Sequence, residues 1–327
     1  MRLPRRQFLR LSVGAATLPV PVVSRIARAQ TYPSRPVRVI VGSTPGSAPD
    51  TVTRIMSQWL TERLGHPVVL ETKPGAATNI SIQATIASPP DGYTLVYVSS
   101  SNAITATLFD SLPFNYLRDL APVAGLATFP MVMDVHPSVA ATNVAQLIAL
   151  AQANPGKISM ASFGTGTTSH LAGELFKSMT GVNMLHVPYR ASPQALIDMM
   201  SGQAQVMFDT LTSSLPHIRS GAVRALAVAG KARFDGLSDI PTVGETVPGY
   251  EASAWGGFGA PKGTPMEIIE TLNREINAGL AHPRIKAQLV AVAAMPMPFG
   301  PAAFGAYMAA ETEKWGRVVK GAGIKPE

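Results

Sequence analysis

The sequence contains no cysteine. This absence excludes disulfide bonds, thiolate metal sites, cysteine nucleophiles and attachment of a lipid to an N-terminal cysteine. The sequence also lacks internal repeats and low-complexity tracts, and after residue 30 it has no apolar run that resembles a membrane span. The features that remain are those of an ordinary globular chain.

A strong positive charge is also missing once the N-terminus is set aside. The formal net charge of the whole chain is +7, which on its own would suit a nucleic-acid partner. The first 29 residues hold six of the 27 basic residues and none of the 20 acidic ones, so 21 basic residues face 20 acidic ones in the remainder. No block of lysine or arginine survives there. We therefore expect neither a nucleic-acid partner nor an anionic membrane partner.

The first 29 residues have the three parts of an export signal. A twin-arginine motif at residues 5–9 precedes an apolar run at residues 11–23, and Ala27-Arg28-Ala29 has the small-x-small pattern of a cleavage site. The apolar run is shorter than the roughly 20 residues that cross a bilayer. A short buried helix with basic flanks is the alternative. We predict a signal peptide at residues 1–29, export by the twin-arginine route and a periplasmic mature protein.

The mature chain is about 300 residues long, which is more than one hydrophobic core usually sustains, so two domains are expected. Apolar runs and amphipathic stretches alternate in two series, a pattern that predicts α/β lobes built on parallel sheets. Asp50 is expected to cap the first helix, and residues 241–265 read as loop-rich. The predicted strands are 37–41, 68–71, 94–98, 131–135, 158–162, 185–189, 206–208 and 223–228. The predicted helices are 50–64, 79–87, 144–153, 168–180, 193–201, 212–220 and 266–280, with another in the final 25 residues.

Helices left over at the end of the second series predict a chain that crosses between the lobes twice. One lobe would comprise residues 31–129 plus 249–327, and the other residues 130–248. A ligand would bind in the cleft between them, at the carboxyl ends of parallel strands.

Three strand-to-helix loops could hold an anion there. They span residues 42–50, 73–79 and 164–170, and each combines glycine with small or hydroxyl-bearing residues. The free N–H groups and the positive dipole end of a helix make such loops anion sites. Ordinary capped turns are the alternative for any one of them. The third loop also echoes a dinucleotide-binding glycine pattern, but its spacing does not fit.

Several short motifs follow one another along the mature chain: Tyr32-Pro33-Ser34-Arg35-Pro36-Val37-Arg38, Pro74-Gly75-Ala76, Asp91-Gly92-Tyr93-Thr94-Leu95, Gly166-Thr167-Thr168-Ser169-His170-Leu171-Ala172, His186-Val187-Pro188-Tyr189, Met207-Phe208-Asp209, Pro216-His217-Ile218 and Pro248-Gly249-Tyr250. In this order they resemble the Bug-type periplasmic solute-binding receptors of tripartite tricarboxylate transporter (TTT) systems. The resemblance implies a two-lobed, type II-like periplasmic-binding-protein fold with a double crossover. It also implies a small carboxylate as ligand and the membrane subunits of a transporter as partners.

The resemblance places the ligand carboxylate on the first two loops, with donors from the other lobe. The ligand-binding residues that it implies are Ser43, Thr44, Gly46, Ser47, Ala76, Ala77 and Thr78, faced by Gly166, Thr167, Thr168 and Asp209. The chain departs from the family pattern at Ser47, Ala77 and Thr78, where the loops usually carry glycine. Their methyl and hydroxyl groups should narrow the pocket or change its water structure, which affects whether dicarboxylates fit.

The competing class is a hydrolase that uses Ser169 or Ser162 with His170 and Asp209. The chain has no Gly-x-Ser-x-Gly motif, and Ser169 and His170 are sequence neighbours, poorly placed as a nucleophile and its base. None of the six histidines has metal-ligand spacing. We therefore expect no enzymatic activity, no metal and no cofactor, and a protein that acts as a monomer. A receptor that reports its ligand to a signalling partner remains an alternative to transport.

Overall fold

The computed structural model of the chain describes residues 32–109, 111–321 and 323–324. The predicted signal peptide at residues 1–29 lies outside the described residues. The strands are β1 (Val37–Val41), β2 (Val68–Thr72), β3 (Thr94–Ser99), β4 (Leu120–Val135), β5 (Ser159–Ser162), β6 (Leu185–Pro188), β7 (Val206–Thr210), β8 (Arg224–Val228), β9 (Ser253–Pro261) and β10 (Met295–Pro296). The α-helices are α1 (Ala48–Leu64), α2 (Asn79–Ile86), α3 (Ser100–Leu108), α4 (Tyr116–Asp119), α5 (Val144–Ala153), α6 (Thr168–Thr180), α7 (Ser192–Met200), α8 (Leu211–Arg219), α9 (Met266–Ala281), α10 (Pro283–Ala291) and α11 (Pro301–Gly321).

The strands form a mixed sheet in the order β2-β1-β3-β9-β4-β7-β5-β6, with β8 and β10 also paired to β4. The pairs β1–β2, β1–β3, β5–β6 and β5–β7 are parallel, as the alternating pattern predicts. Strand β9 runs antiparallel to β3 and β4, and β4 runs antiparallel to β7 and β8. The predicted parallel pairs are confirmed, and the antiparallel pairing of β4 and β9 is an addition that the pattern did not predict. The architecture is the expected α/β one, and its strands are mixed in direction.

The long strand β4 connects the two parts of this sheet. Its first eleven residues pair with β9, and Met131–Val135 pair with β7 and β8. The expected strand at residues 131–135 is only the second part of this element. Because β4 continues from one lobe into the other, it joins the part of the sheet that contains β1, β2 and β3 to the part that contains β5, β6 and β7.

The prediction of a loop at residues 241–265 is wrong over β9, and the reason is its glycine content. Gly256 and Gly257 weaken the strand pattern, since glycine is disfavoured inside strands. In the fold these positions are covered by large side chains. A Cβ at Gly256 would lie 1.7 Å from the hydroxyl of Tyr97, and one at Gly257 would lie 2.4 Å from the ring of Phe304. Glycine therefore lets aromatic rings pack directly on the strand.

The C-terminal helix α11 is tied to this strand by a buried carboxylate. Trp255 of β9 and Trp315 of α11 each donate an indole N–H to Oε2 of Glu311, both at 3.0 Å. Helix α11 also packs against α3 and β4, so the final segment of the chain supports the first lobe. No helix within the described ranges is both long and apolar enough to cross a membrane.

Candidate ligand-binding cavity

A cavity of about 900 Å³ lies at the carboxyl ends of β1, β2, β3, β5, β6 and β7. Within the part of the chain that the structure describes, six helices begin at its wall. The cavity-lining residues at the helix starts are Ser47, Ala48 and Pro49 for α1, Thr78 for α2, Ser99, Ser100 and Ser101 for α3, Thr167 and Thr168 for α6, Ala191 and Ser192 for α7, and Thr210 and Ser213 for α8. Each N-terminus presents N–H groups without intrahelical partners and the positive end of a dipole. The arrangement attracts anions.

Most of the residues implied by the sequence resemblance come together in this cavity. Those that line it are Ser43, Thr44, Ser47, Ala76, Ala77, Thr78, Thr167 and Thr168. Gly46, Gly166 and Asp209 are not part of its lining. The N–H of Gly46 is already bonded to Asp50 at 3.0 Å, and that of Gly166 to His170 at 3.3 Å. These two glycines therefore shape their loops, and their amides face the protein.

The first loop is held by its own hydroxyls. Ser47 is the N-cap of α1, in the place predicted for Asp50, which instead lies inside the first turn. The Ser47 hydroxyl donates to the carbonyl of Thr44 at 2.7 Å and lies 3.0 Å from the hydroxyl of Ser43. Asp50 accepts from Arg54 and Gly46, both at 3.0 Å, so its charge is compensated away from the cavity. The prediction of Asp50 as N-cap is therefore wrong, because the N-cap is Ser47, three residues earlier.

The second loop carries three consecutive non-glycine residues with left-handed backbones. The φ angles are 47° at Ala76, 47° at Ala77 and 76° at Thr78. Such a conformation costs a residue with a Cβ about 1–2 kcal/mol. The Thr78 hydroxyl accepts from Nδ2 of Asn102 at 2.8 Å, and the Thr78 carbonyl accepts from Ser81 at 2.6 Å. Because the Thr78 hydroxyl is an acceptor in this bond, its own proton remains available to a ligand.

The third loop meets the first lobe directly. The hydroxyls of Thr168, at the start of α6, and Ser100, at the start of α3, lie 2.5 Å apart. A Cβ at Gly166 would lie 3.6 Å from the methyl group of Ala77, so the second and third loops are also close. Thr167 caps α6 and donates to the carbonyl of Gly164 at 2.6 Å. Donors from both series of elements therefore surround one space.

Asp209 lies behind the cavity wall and is fully buried. Its carboxylate accepts from the Ser192 hydroxyl at 2.7 Å, the Thr210 N–H at 2.7 Å and the Ser214 hydroxyl at 3.2 Å. Burial raises the pKa of Asp209 to about 6, against the opposing effect of these donors. The expectation that Asp209 faces the ligand is corrected, since its side chain instead fixes the starts of α7 and α8. Asp134 is buried nearby, and burial raises its pKa to about 8, with a further contribution from the charge of Asp209.

Arg190 is a cavity residue that the sequence reasoning missed. It is exposed, directly follows the His-Val-Pro-Tyr motif of β6, and is the one charged side chain among the described lining residues. It makes no ion pair with any described residue. Lys73, the first residue of the second loop, is instead paired with Glu71 at 3.1 Å and does not line the cavity. The available signal was the position of Arg190 at the carboxyl end of a parallel strand.

Aromatic rings form the rest of the wall, and sequence reasoning did not anticipate them. They belong to Tyr97, Phe109, Phe129, Phe163, Tyr189 and Trp255. No aspartate or glutamate is found among the described lining residues. The cavity therefore combines neutral hydrogen-bond donors with an apolar surface that suits a ligand's carbon body.

The geometry does not assemble the hydrolase considered from sequence. The Ser169 hydroxyl donates to the carbonyl of Phe208 at 2.5 Å, and burial lowers the pKa of His170 to about 3. Ser162 lies 2.7 Å from Nε2 of His186, but Ser162 is fully buried and outside the cavity lining. Within the described residues no group of three or more histidine and acidic side chains could hold a metal ion.

Comparison with known proteins agrees with this geometry. The sequence model described as tripartite tricarboxylate transporter family receptor matches residues 52–324. The chain is also 36% identical over 300 residues to the protein BugT of Bordetella pertussis, an alignment that covers 91% of this chain and 92% of BugT. The chain belongs to the tripartite tricarboxylate transporter receptor family. The sequence resemblance is thereby confirmed.

Solved structures share the fold of this chain. One is R. palustris Rpa4515 with adipate, with a TM-score of 0.88 and 34% identity, covering 90% of this chain and all of that one. Another is the periplasmic binding protein BugD, with a TM-score of 0.86 and 30% identity, covering 90% of this chain and 100% of BugD. The two-lobed fold of periplasmic solute-binding receptors is therefore confirmed for this chain.

Proposed function

We propose that this receptor is exported to the periplasm, captures a small carboxylate in the cavity and delivers it to the membrane subunits of a tripartite transporter. The observation that carries the proposal is the set of six helix N-termini around one cavity, with no acidic residue among the lining residues that the structure describes. The adipate bound by Rpa4515, a structure of the same fold, adds support.

The carboxylate is held by neutral donors in this proposal. The hydroxyls of Ser43, Thr78 and Thr168 and the N–H groups of the helix starts surround the same space. A hydrogen bond to a charged group contributes about 1.5–3 kcal/mol, so two or three of them give useful affinity. Arg190 supplies the one full positive charge among the described lining residues and strengthens the attraction of the cavity for an anionic ligand.

The protein is proposed to act as a monomer whose two lobes close on the ligand. One lobe comprises residues 31–129 plus 249–327, and the other comprises residues 130–248. Helices α1, α2 and α3 bring donors from the first series of elements, and α6, α7 and α8 bring donors from the second. A ligand that bonds to both sets stabilises the closed arrangement of the lobes.

Binding is proposed to occur without chemical conversion. The support is that Ser169 is bonded to a backbone carbonyl and that the buried Ser162–His186 pair lies outside the cavity lining. A hydrolase needs its nucleophile and base within reach of the substrate.

The twin-arginine route is part of the proposal, based on the arginine pair and the cleavage pattern at residues 27–29. Mass spectrometry of the natively expressed protein should find Gln30 at the N-terminus in the periplasmic fraction. Export should stop when Arg5 and Arg6 are both replaced by lysine. Full-length protein in the cytoplasm of wild-type cells would contradict this part.

The binding function is tested by a thermal-shift screen of mono- and dicarboxylates against the mature chain, residues 30–327, followed by calorimetry on the hits. A ligand present at about 100 times its Kd stabilises the fold by about 2.7 kcal/mol. The hit should be recovered unchanged after long incubation. If no carboxylate shifts the melting temperature, or if product accumulates, the proposal is wrong.

A further inference from the structure

Two side-chain hydroxyls of the cavity lining, those of Thr44 and Tyr97, are buried and form no hydrogen bond with any described residue. Tyr97 lies on β3, is 3% exposed and lines the cavity. Its hydroxyl oxygen is buried, and no described residue forms a hydrogen bond with it. Buried hydroxyls are normally bonded, and leaving one unbonded costs free energy. The hydroxyl of Tyr97 therefore needs an explanation outside the fold itself.

The position of this hydroxyl depends on a glycine. A Cβ at Gly256 would lie 1.7 Å from the hydroxyl oxygen and 2.0 Å from Cζ of Tyr97. Gly256 is opposite Ser99 in the pairing of β3 with β9, and Ser99 lines the cavity too. Tyr97 and Ser99 are two residues apart on one strand and so share a face of the sheet. The bare backbone of Gly256 thus leaves room for the phenol on the face of the sheet that it shares with the lining residue Ser99.

The phenol is a neutral donor in this environment. Burial raises the pKa of Tyr97 far above its ordinary value. A neutral phenol can donate one hydrogen bond and accept others, so it suits a carboxylate, carbonyl or hydroxyl oxygen. The neighbouring walls at Phe129 and Trp255 are apolar, and the indole N–H of Trp255 is already bonded to Glu311. Tyr97 therefore adds a neutral polar group to a lining that also has the apolar surfaces of Phe129 and Trp255.

We propose that Tyr97 is a specificity-determining residue that donates a hydrogen bond to a second polar group of the ligand, distant from the carboxylate held by the helix N-termini. This inference rests on the proposed function and narrows it. The ligand class is a carboxylate whose carbon body carries another oxygen function, such as a second carboxylate or a hydroxyl.

The test replaces Tyr97 with phenylalanine, which keeps the ring and removes only the hydroxyl. Two matched pairs of probes are used, adipate with hexanoate and 4-hydroxybenzoate with benzoate. The pair chosen for calorimetry is the one in which the wild-type chain binds the polar member more tightly than its apolar partner. Tyr97→Phe should weaken binding of the polar member about tenfold, the loss expected for one hydrogen bond, and should leave its apolar partner within about twofold.

The matched control is Tyr250→Phe. Tyr250 is also 3% exposed, but its hydroxyl donates to the carbonyl of Ala172 at 2.9 Å and it does not line the cavity. Tyr250→Phe should lower the melting temperature of the ligand-free protein and leave probe affinities unchanged. Tyr97→Phe should keep or raise that temperature, since it removes an unbonded buried hydroxyl.

Three results would overturn the inference: wild-type protein without preference for the polar member of either pair, equal affinity losses for both members in Tyr97→Phe, or a Tyr97→Phe protein destabilised as much as Tyr250→Phe. Failure of the wild-type chain to bind any probe or any carboxylate of the wider screen would instead refute the proposed function. The two failures are therefore distinguishable.

Discussion

Ala77 allows the electrostatics of the cavity to be tested with a change of one charge. The residue is half-buried in the cavity lining and has a φ of 47°. Asparagine and aspartate are the non-glycine residues that adopt this left-handed backbone most readily. Ala77→Asp and Ala77→Asn should therefore fold alike, have nearly the same shape and differ only by a negative charge.

The expected difference in affinity is large. An aspartate at residue 77 that lies about 5 Å from a bound carboxylate repels it by about 3 kcal/mol at an effective dielectric constant of about 20. This corresponds to a loss of affinity of about 100-fold, before screening by salt. The Asn variant should lose much less, because it adds bulk without charge.

The assay is calorimetry of both variants with the tightest carboxylate of the screen, at about 0.05 M and about 0.5 M salt. The gap between Asp and Asn variants should narrow at the higher salt concentration, because the Debye length shortens. Equal affinities for the Asp and Asn variants would refute the idea that the carboxylate binds beside the second loop. Melting temperatures of the ligand-free variants control for folding.

Three further predictions concern other residues. Arg190→Gln should lower the affinity for a dicarboxylate, measured by calorimetry, about tenfold. Lys73→Gln removes an equal charge outside the cavity lining and should change that affinity less than twofold. Equal effects of the two substitutions would contradict the assignment of Arg190 to the binding site. Thr78→Val should lower the carboxylate affinity about tenfold, and it should lower the unfolding free energy by about 1 kcal/mol because Asn102 loses its acceptor. Thr78→Ser should preserve both quantities. A Val variant that binds like wild type would exclude the Thr78 hydroxyl as a ligand donor. Burial raises the pKa of Asp134 to about 8, so the folded state keeps a proton that the unfolded state releases near pH 4, and this contribution to stability falls as the pH rises from about 4 to about 8. Asp134→Asn should flatten the pH dependence of the unfolding free energy, measured by urea titration, over that window; an unchanged slope would show that Asp134 is ionised in the fold.

The cavity could be located from the sequence because the loops that line it have recognisable local sequence patterns. The loops at residues 42–50, 73–79 and 164–170 each follow a β-rich segment and precede an amphipathic helix, and their side chains do meet at one cavity. Contact of those residues with a ligand stays a prediction. Helices α7 and α8 were predicted too, and the same local logic could have placed their starts at Ser192 and Leu211, which also follow strands, in the cavity wall.

The remaining features depend on contacts between distant parts of the chain. Strand β9 has a glycine pattern that favours a loop, and only the rings of Tyr97 and Phe304 packed against it explain those glycines. The position of Asp209 behind the wall depends on Ser192 and Ser214, which approach it only in the folded sheet. Local periodicity contains no information about such pairings.

A crystal structure of the mature chain with the tightest carboxylate from the screen tests the central claim most directly. The expected result is a ligand inside the 900 Å³ cavity, with one carboxylate within about 3 Å of donors from both the α1–α3 starts and the α6–α8 starts. A ligand bound elsewhere on the protein, or one whose carboxylate contacts only Arg190 and none of the helix N-termini, would contradict it.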